Sequence, residues 1–246
     1  MKFKDKIAIV TGGANGIGYA IALNLAKEGV DIVIVDIDVA GGKRTAEEIK
    51  SLKRKAVFVK TDVTSRDDIK RMVEASLKEF GTVDILINNA GGGARDKRTL
   101  FSDEAEEMTD LIIDRNLKSV INCTRAIVNH MIEKRSGKIV NIASTCGING
   151  VPKEVTFSAA KAGIIIFTKA LAMELGGYGI NVNCVSPGAI NTMLTGRARA
   201  KSQEDWKYKM GKPEDVAAVV TFLASEEACF INGQNYPVTG VMDMIN

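Results

Sequence analysis

The sequence predicts an α/β fold in three layers, a doubly wound and mostly parallel sheet of about seven strands with helices on both faces. Three observations carry this. Short β-rich apolar runs alternate along the chain with longer amphipathic segments. The apolar runs read as strands buried on both sides rather than on one. A glycine-rich turn joins the first strand to the first helix, where a doubly wound sheet places its phosphate site.

In order, strands are expected at residues 7–10, 32–35, 56–59, 85–87, 139–142, 180–185 and 236–238. Helices are expected between them, at 16–28, 39–53, 65–80, 117–134 and 158–175, each with apolar positions at helical spacing. Ser65 followed by Asp67 and Asp68 gives a helix start with negative charge in its first turn. Gly29, Gly81 and Gly176 sit where helices should stop. At 246 residues the chain has the length of one large α/β domain, and no linker, repeat or low-complexity stretch divides it. Residues 191–209, rich in Arg and Lys, interrupt the pattern and read either as a mobile substrate lid or as a solvated surface helix.

Composition narrows the function classes. The net charge of +3 comes from intermixed acids and bases, which argues against nucleic acid as a partner. Cys123, Cys146, Cys184 and Cys229 lie far apart, and with His130 they match no metal-ligand spacing, so they read as buried thiols in a reducing compartment. No apolar run is expected to approach the roughly 18 residues that cross a bilayer. A cytoplasmic protein is the expectation.

The turn Thr11-Gly12-Gly13-Ala14-Asn15-Gly16-Ile17-Gly18 lets the backbone bend sharply and bring free N–H groups at a helix start to a diphosphate. Asp36 closes the second strand eighteen positions after Gly18, near the roughly 20-residue offset of the acid that accepts hydrogen bonds from an adenosine ribose. A carboxylate there repels a 2′-phosphate. The neighbours Ile37 and Asp38 and the loop residue Asn15 offer no cation, which favours NAD(H) over its phosphorylated form, in a Rossmann-type arrangement.

Downstream, the fourth strand ends in Asn88-Asn89-Ala90-Gly91. Asn116 precedes a long helix, Ser144 follows the fifth strand, Lys161 stands in Phe157-Ser158-Ala159-Ala160-Lys161, and Pro187-Gly188-Ala189-Ile190-Asn191-Thr192 follows the sixth strand. In this order, and spanning nearly the whole chain, these motifs resemble the short-chain dehydrogenase/reductase family. The resemblance implies that Gly12, Asn15, Gly16, Ile17 and Gly18 line the diphosphate and that Asp36 and Ile37 meet the adenosine ribose. By the same resemblance Asp62 and Val63 flank the adenine, Asn89 supports the middle of the cofactor, and Pro187, Ile190 and Thr192 meet its nicotinamide end. It implies a catalytic set of Asn116, Ser144, Lys161 and the position of Phe157, with Lys161 also holding the nicotinamide ribose. It further implies a homotetramer built through the two long helices.

Relatives carry Tyr where this chain has Phe157. Moving a hydride between a carbinol carbon and nicotinamide requires a proton transfer at the substrate oxygen, and a phenol of ordinary pKa near ~10 is made acidic enough by a neighbouring Lys cation. Phe157 has no ionisable group. General acid–base participation is typically worth 10²- to 10⁴-fold, so an inactive or very slow enzyme is expected, with ring volume and fold retained. Two explanations stand: a replacement engineered into an active enzyme, or a natural non-catalytic NAD(H)-binding protein with a sensing or assembly role. Retention of Asn116, Ser144 and Lys161 favours the first.

The substrate is expected to be a secondary alcohol or its ketone, small and polar or anionic. Arg95, Lys97 and Arg98, then Asn149 and Lys153, then Arg197, Arg199 and Lys201 of the lid would make a cationic mouth, with Arg95, Ser144, Asn149 and Lys153 as substrate contacts. Acyl-chain ketone reduction stays open, since the same chemistry runs both ways. Thr239-Gly240-Val241-Met242 departs from the Asp-Gly-Gly of relatives.

Overall fold

A computed structural model describes residues 3–92, 99–192 and 210–240. Among them, β1 (Ile7–Thr11), β2 (Asp31–Asp36), β3 (Ala56–Lys60), β4 (Ile85–Asn88), β5 (Gly137–Ile142), β6 (Ile180–Pro187) and β7 (Asn235–Val238) form one sheet in the order β3-β2-β1-β4-β5-β6-β7. Every pairing in this described sheet is parallel, in keeping with the expected doubly wound arrangement. The helices are α1 (Gly16–Lys27), α2 (Val39–Ser51), α3 (Arg66–Phe80), α4 (Glu106–Ile113), α5 (Ser119–Lys134), α6 (Cys146–Asn149), α7 (Val155–Leu175) and α8 (Pro213–Ala224).

The strands read as unbroken apolar runs because alternate residues feed two separate cores. Val10, Ile34, Ile87 and Ile142 pack with Ile21 and Leu25 of α1, Ile49 of α2 and Val220 of α8. Ile9, Val33, Leu86 and Ile139 pack on the other face with Met72 of α3, Ile127 and Met131 of α5, and Leu175 of α7. Full burial of each such side chain stabilises by roughly 1.5–3 kcal/mol, which holds the three layers in register. β1 lies between β2 and β4, so the chain reverses direction across the sheet there. That places a crevice at the carboxyl ends of β1 and β4.

Several local expectations are corrected. Ser65 caps α3 as expected, its Oγ accepting from Asp68 N at 3.3 Å, and Gly81 ends that helix in the left-handed conformation. Gly176 caps α7 after Leu175 as expected, although not in the left-handed conformation. It keeps helical dihedrals and opens a 3-10 turn, Gly176–Tyr178, and Gly179 at φ 72° makes the left-handed exit. The long helix does not begin at residue 117, because α4 runs through a π-helical turn, Asp114–Lys118, directly into α5. α7 begins at Val155, three residues before the expected start, which puts Phe157 inside its first turn. Residues 155–178 are also apolar and long enough to cross a bilayer by length and composition, against the sequence expectation. In the fold Lys161 and Thr168 of this helix hydrogen-bond toward the sheet, as in a core helix. Of the four cysteines only Cys123 and Cys184 are buried, and burial pushes their thiols up to about 12 and about 11; Cys146 is half-buried and Cys229 exposed.

Candidate active site

The turn after β1 is built by close approach. A Cβ at Gly18 would lie 2.0 Å from the Gly12 carbonyl oxygen, so only glycine lets the first turn of α1 fold back over the loop. The loop is fastened to the next strand end. Thr11 Oγ1 donates to Ile87 O at 3.2 Å and accepts from Asn89 N and Ala90 N at 2.9 and 3.0 Å. The Asn89 amide donates to Thr11 O and Gly12 O, so Asn89 braces the loop itself. Sequence reasoning quoted Thr11 in the motif but gave it no role.

At the carboxyl end of β2, Asp36 accepts from Ala14 N through Oδ2 and from Asp38 N through Oδ1, both at 3.0 Å. Asp38 caps α2 through Gly41 N, and that bond first, then the Asn15 amide, holds its carboxyl below the usual carboxylate range. Two carboxyl side chains therefore stand at this edge beside Ile37, which is 66% exposed. Asp62 is exposed, its Oδ1 accepting from Thr64 N and Oγ1, whereas the Val63 side chain belongs to a buried core.

At the other end of the crevice the polar residues meet across a glycine. Asn116 is fully buried inside the π-helical turn, where its Nδ2 donates to Ile112 O and Gly92 O and its Oδ1 accepts from Gly92 N. π-turns are often found at functional sites, because the extra residue re-aims a side chain. A Cβ on Gly91 would lie 2.7 Å from Asn116 Oδ1 and 3.6 Å from Lys161 Nζ. Lys161, 5% exposed, donates from Nζ to Ile142 O at 2.9 Å, and the same Nζ lies 5.6 Å from the centre of the buried Phe157 ring. Ser144 Oγ accepts from Cys146 N at 3.2 Å, which fixes the turn into α6, and Gly147 of α6 lies directly against the Lys161 backbone.

Pro187 ends β6. Ile190 is buried in the core shared with α1, bridged to Gly211, and Thr192 reaches the phosphate loop, where a Cβ on Gly16 would meet its Cγ2 at 3.5 Å. Gly12 and Gly18, where a Cβ would collide with the loop, and the start of α1 beside them fit the diphosphate of a nicotinamide dinucleotide, whereas the Val63 and Ile190 side chains belong to the cores.

The substrate side is less well matched. Arg95, Lys97, Arg98, Arg197, Arg199 and Lys201 lie outside the described residues, as does most of the expected lid. Lys153 and Asn149 are exposed, and Lys153 takes a left-handed φ of 64°. Two carboxylates missed in the sequence flank the first turn of α7. Glu104 accepts from Thr156 Oγ1 and Thr109 Oγ1, and Glu154 accepts from Cys146 Sγ.

A family model described as short chain dehydrogenase matches residues 6–203. The chain belongs to the short-chain dehydrogenase family. It is 39% identical over 245 residues to a 3-oxoacyl-[acyl-carrier-protein] reductase of Thermotoga maritima, covering 98% of both chains. It is 36% identical over 245 residues to the (2S)-[(R)-hydroxy(phenyl)methyl]succinyl-CoA dehydrogenase subunit BbsD of Thauera aromatica, covering 98% of this chain and 97% of that one. The crystal structure of a levodione reductase superposes with a TM-score of 0.91 at 27% identity, over 99% of this chain and 100% of that one. As a short-chain dehydrogenase the protein is an oxidoreductase scaffold with a nicotinamide cofactor, and the parallel sheet described above is the family fold.

Proposed function

We propose that this short-chain dehydrogenase binds NAD(H) in the crevice from Asp36 to Thr192 and is built to interconvert a secondary alcohol and its ketone, with the proton-transfer step disabled at Phe157. The observation that carries this reading is the Lys161 ammonium held against the Phe157 ring, 5.6 Å from its centre, with Asn116 buried beside it. A buried ammonium needs partners, and this one, bonded to Ile142 O, also faces the Phe157 ring at the place where a phenol would be tuned.

The chain's own residues have definite tasks. The loop amides at the start of α1 and Gly12, Gly16 and Gly18 receive the diphosphate, and Asp36 accepts from the ribose hydroxyls. When bound, the nicotinamide supplies hydride exchange. Ser144 Oγ, which already accepts from Cys146 N, has its own O–H to donate to a substrate oxygen. Lys161 holds the ribose at the nicotinamide end, and Asn116, fixed at both amide atoms by Gly92, orients the polar path behind it. No described side chain at position 157 moves the proton.

The side chains of Asp36 and Asp38 support NAD(H) over its 2′-phosphorylated form, since the phosphate would face two acidic residues. For the substrate, the names of the relatives point to acyl thioesters carrying an oxo or hydroxyl group, which belong in the assay beside small polar and anionic alcohols. Self-association through the long helices is supported by apolar residues left exposed on one face of α7, Val155, Ile166 and Met173.

The test compares the protein with Phe157→Tyr for NADH affinity and for turnover across such a panel. The reading expects equal affinity and turnover only with Tyr. If both bind NADH and neither turns over any alcohol or ketone, a non-catalytic NAD(H)-binding protein is the better description. If neither binds NADH, the cofactor reading fails.

A further inference from the structure

We propose that Arg44 on α2 is the positioning residue of the adenosine end. It acts through the phosphate loop to hold the Asp36 carboxylate in the orientation that accepts both ribose hydroxyls. This rests on the NAD(H) reading and goes one layer behind it. Arg44 Nη2 donates to Ala14 O at 3.1 Å and to the Asn15 side-chain oxygen at 3.0 Å. Ala14 N donates to Asp36 Oδ2, Asp38 N donates to Asp36 Oδ1, and the Asn15 amide donates to Asp38 Oδ2 at 2.8 Å. The five residues close a ring: Arg44, Ala14, Asp36, Asp38, Asn15 and back to Arg44.

In that ring the Asn15 amide is the one link that can be reversed, and Arg44 fixes its direction. The Asn15 amide can flip, which would present its oxygen to Asp38, but a guanidinium carries only donors and fixes the oxygen toward itself. With Asn15 fixed, its N–H₂ faces Asp38, Asp38 keeps its cap on Gly41 N, and its own N–H pins Asp36 Oδ1. The Ala14 peptide is held from both sides, its carbonyl by Arg44 and by Thr45 Oγ1, its N–H by Asp36. Each Asp36 oxygen is then left with one lone pair directed away from the protein backbone donors, the pair of acceptors that two vicinal hydroxyls need.

Arg44 Nη2 is taken up by the loop, while Glu48 Oε1 lies 4.0 Å from Nε and the side chain stays 53% exposed. Glu48 Oε2 takes the Tyr19 hydroxyl, pushing that phenol up to about 12. Whether this exposed cation serves the loop or a 2′-phosphate is what the comparison of NADH with NADPH decides.

The experiment measures dissociation constants of NADH, NADPH, ADP-ribose and reduced nicotinamide mononucleotide for the parent, Arg44→Met and Arg44→Lys, with thermal unfolding to confirm folding. Arg44→Met is expected to weaken NADH and ADP-ribose about tenfold, the loss associated with a charge-assisted hydrogen bond. The mononucleotide lacks the adenosine ribose and should bind both proteins equally, and Arg44→Lys should recover part of the loss because it keeps the charge without the planar fork. Equal weakening of the mononucleotide would mean a general loss of loop structure and would overturn the proposal, as would unchanged ADP-ribose binding. Weakening confined to NADPH would make Arg44 a phosphate ligand and overturn it too. Parent affinity for NADPH equal to that for NADH would sink the NAD(H) preference alone, leaving the ADP-ribose comparison to decide Arg44.

Discussion

Lys161 Nζ sits 5.6 Å from the centre of the Phe157 ring, one helical turn away on α7. An ammonium over an aromatic face is stabilised by ~0.5–2 kcal/mol, so the ring adds to the bond with Ile142 O in keeping the lysine in place.

Restoring the hydroxyl makes the lysine's effect measurable. In the Phe157→Tyr protein, a cation beside the phenol favours phenolate and lowers its pKa below the ordinary value of about 10. Adding Lys161→Met should therefore move the acid limb of the alcohol-oxidation profile, where the phenolate base is lost to protonation, upward toward pH ~10 and lower the rate at neutral pH. It should also cost roughly 1–3 kcal/mol of stability, because Ile142 O loses its buried donor. A pH–rate series on the two proteins checks this; an unmoved limb would show that Lys161 does not face the phenol.

Gly91 and Gly92 separate collision from backbone strain. Both have φ near 155°, a conformation that disfavours a side chain, but among the described residues a Cβ on Gly92 meets nothing within 4 Å whereas one on Gly91 lies 2.7 Å from Asn116 Oδ1. Gly92→Ala is expected to cost about 1 kcal/mol from strain, and Gly91→Ala about 1–3 kcal/mol more as Asn116 is pushed from its place. Urea unfolding of the two variants gives the difference, and equal losses would contradict the tight approach of Asn116 to this backbone.

How much of this was legible depends on whether a feature leaves a local signature. The strands were, because alternate residues such as Ile9 and Val10 serve opposite cores and leave an unbroken apolar run. Asp36 and Phe157 were legible because each follows or sits within a recognisable string. The π-turn at Asn116 was not, since one extra residue per turn changes no composition. Neither was the helix exit at Gly179, because with glycines at 176, 177 and 179 only the backbone decides which turns left-handed. Arg44 reads in sequence as one more solvated charge on an amphipathic helix, and only folding carries it back to Ala14 and Asn15. The cationic mouth was inferred from loops whose side chains mostly fall outside the described residues, while the carboxylates Glu104 and Glu154 became apparent only from their partners.

The exposed stripe on α7 predicts a mass change. Val155, Ile166 and Met173 are spaced by eleven and seven residues, which returns each to the same helix face, and Ile166 and Met173 are 65% and 77% exposed. Apolar side chains aligned this way on the outside of a folded domain mark a surface that another chain covers. Ile166→Glu with Met173→Glu should convert an assembled protein to smaller species while preserving its far-ultraviolet circular dichroism, as read by light scattering. A parent that already runs at the mass of a single chain would remove the basis for the homotetramer.

His130 should make stability fall on mild acidification. Its Nε2 accepts from Val83 N at 3.3 Å and lies 3.3 Å from Thr82 Oγ1, so the neutral ring is the form the fold uses. Desolvation, and then the Lys134 cation, lower its pKa from the model-peptide value of 6.5, against a weaker opposite pull from Glu133 and Asp84. The unfolded chain therefore binds the proton more readily than the native one. The stabilising contribution is fully present above pH about 6.5 and is lost as the pH falls through that value toward the lower folded pKa. In His130→Gln the amide oxygen still accepts from Val83 but does not titrate. Urea unfolding at pH 7.5 and 5.5 should show a smaller acid loss in the variant than in the parent, with the carboxylates common to both cancelling. If the two lose stability equally, the histidine is not held neutral by the fold and the contact with Val83 contributes nothing to its titration.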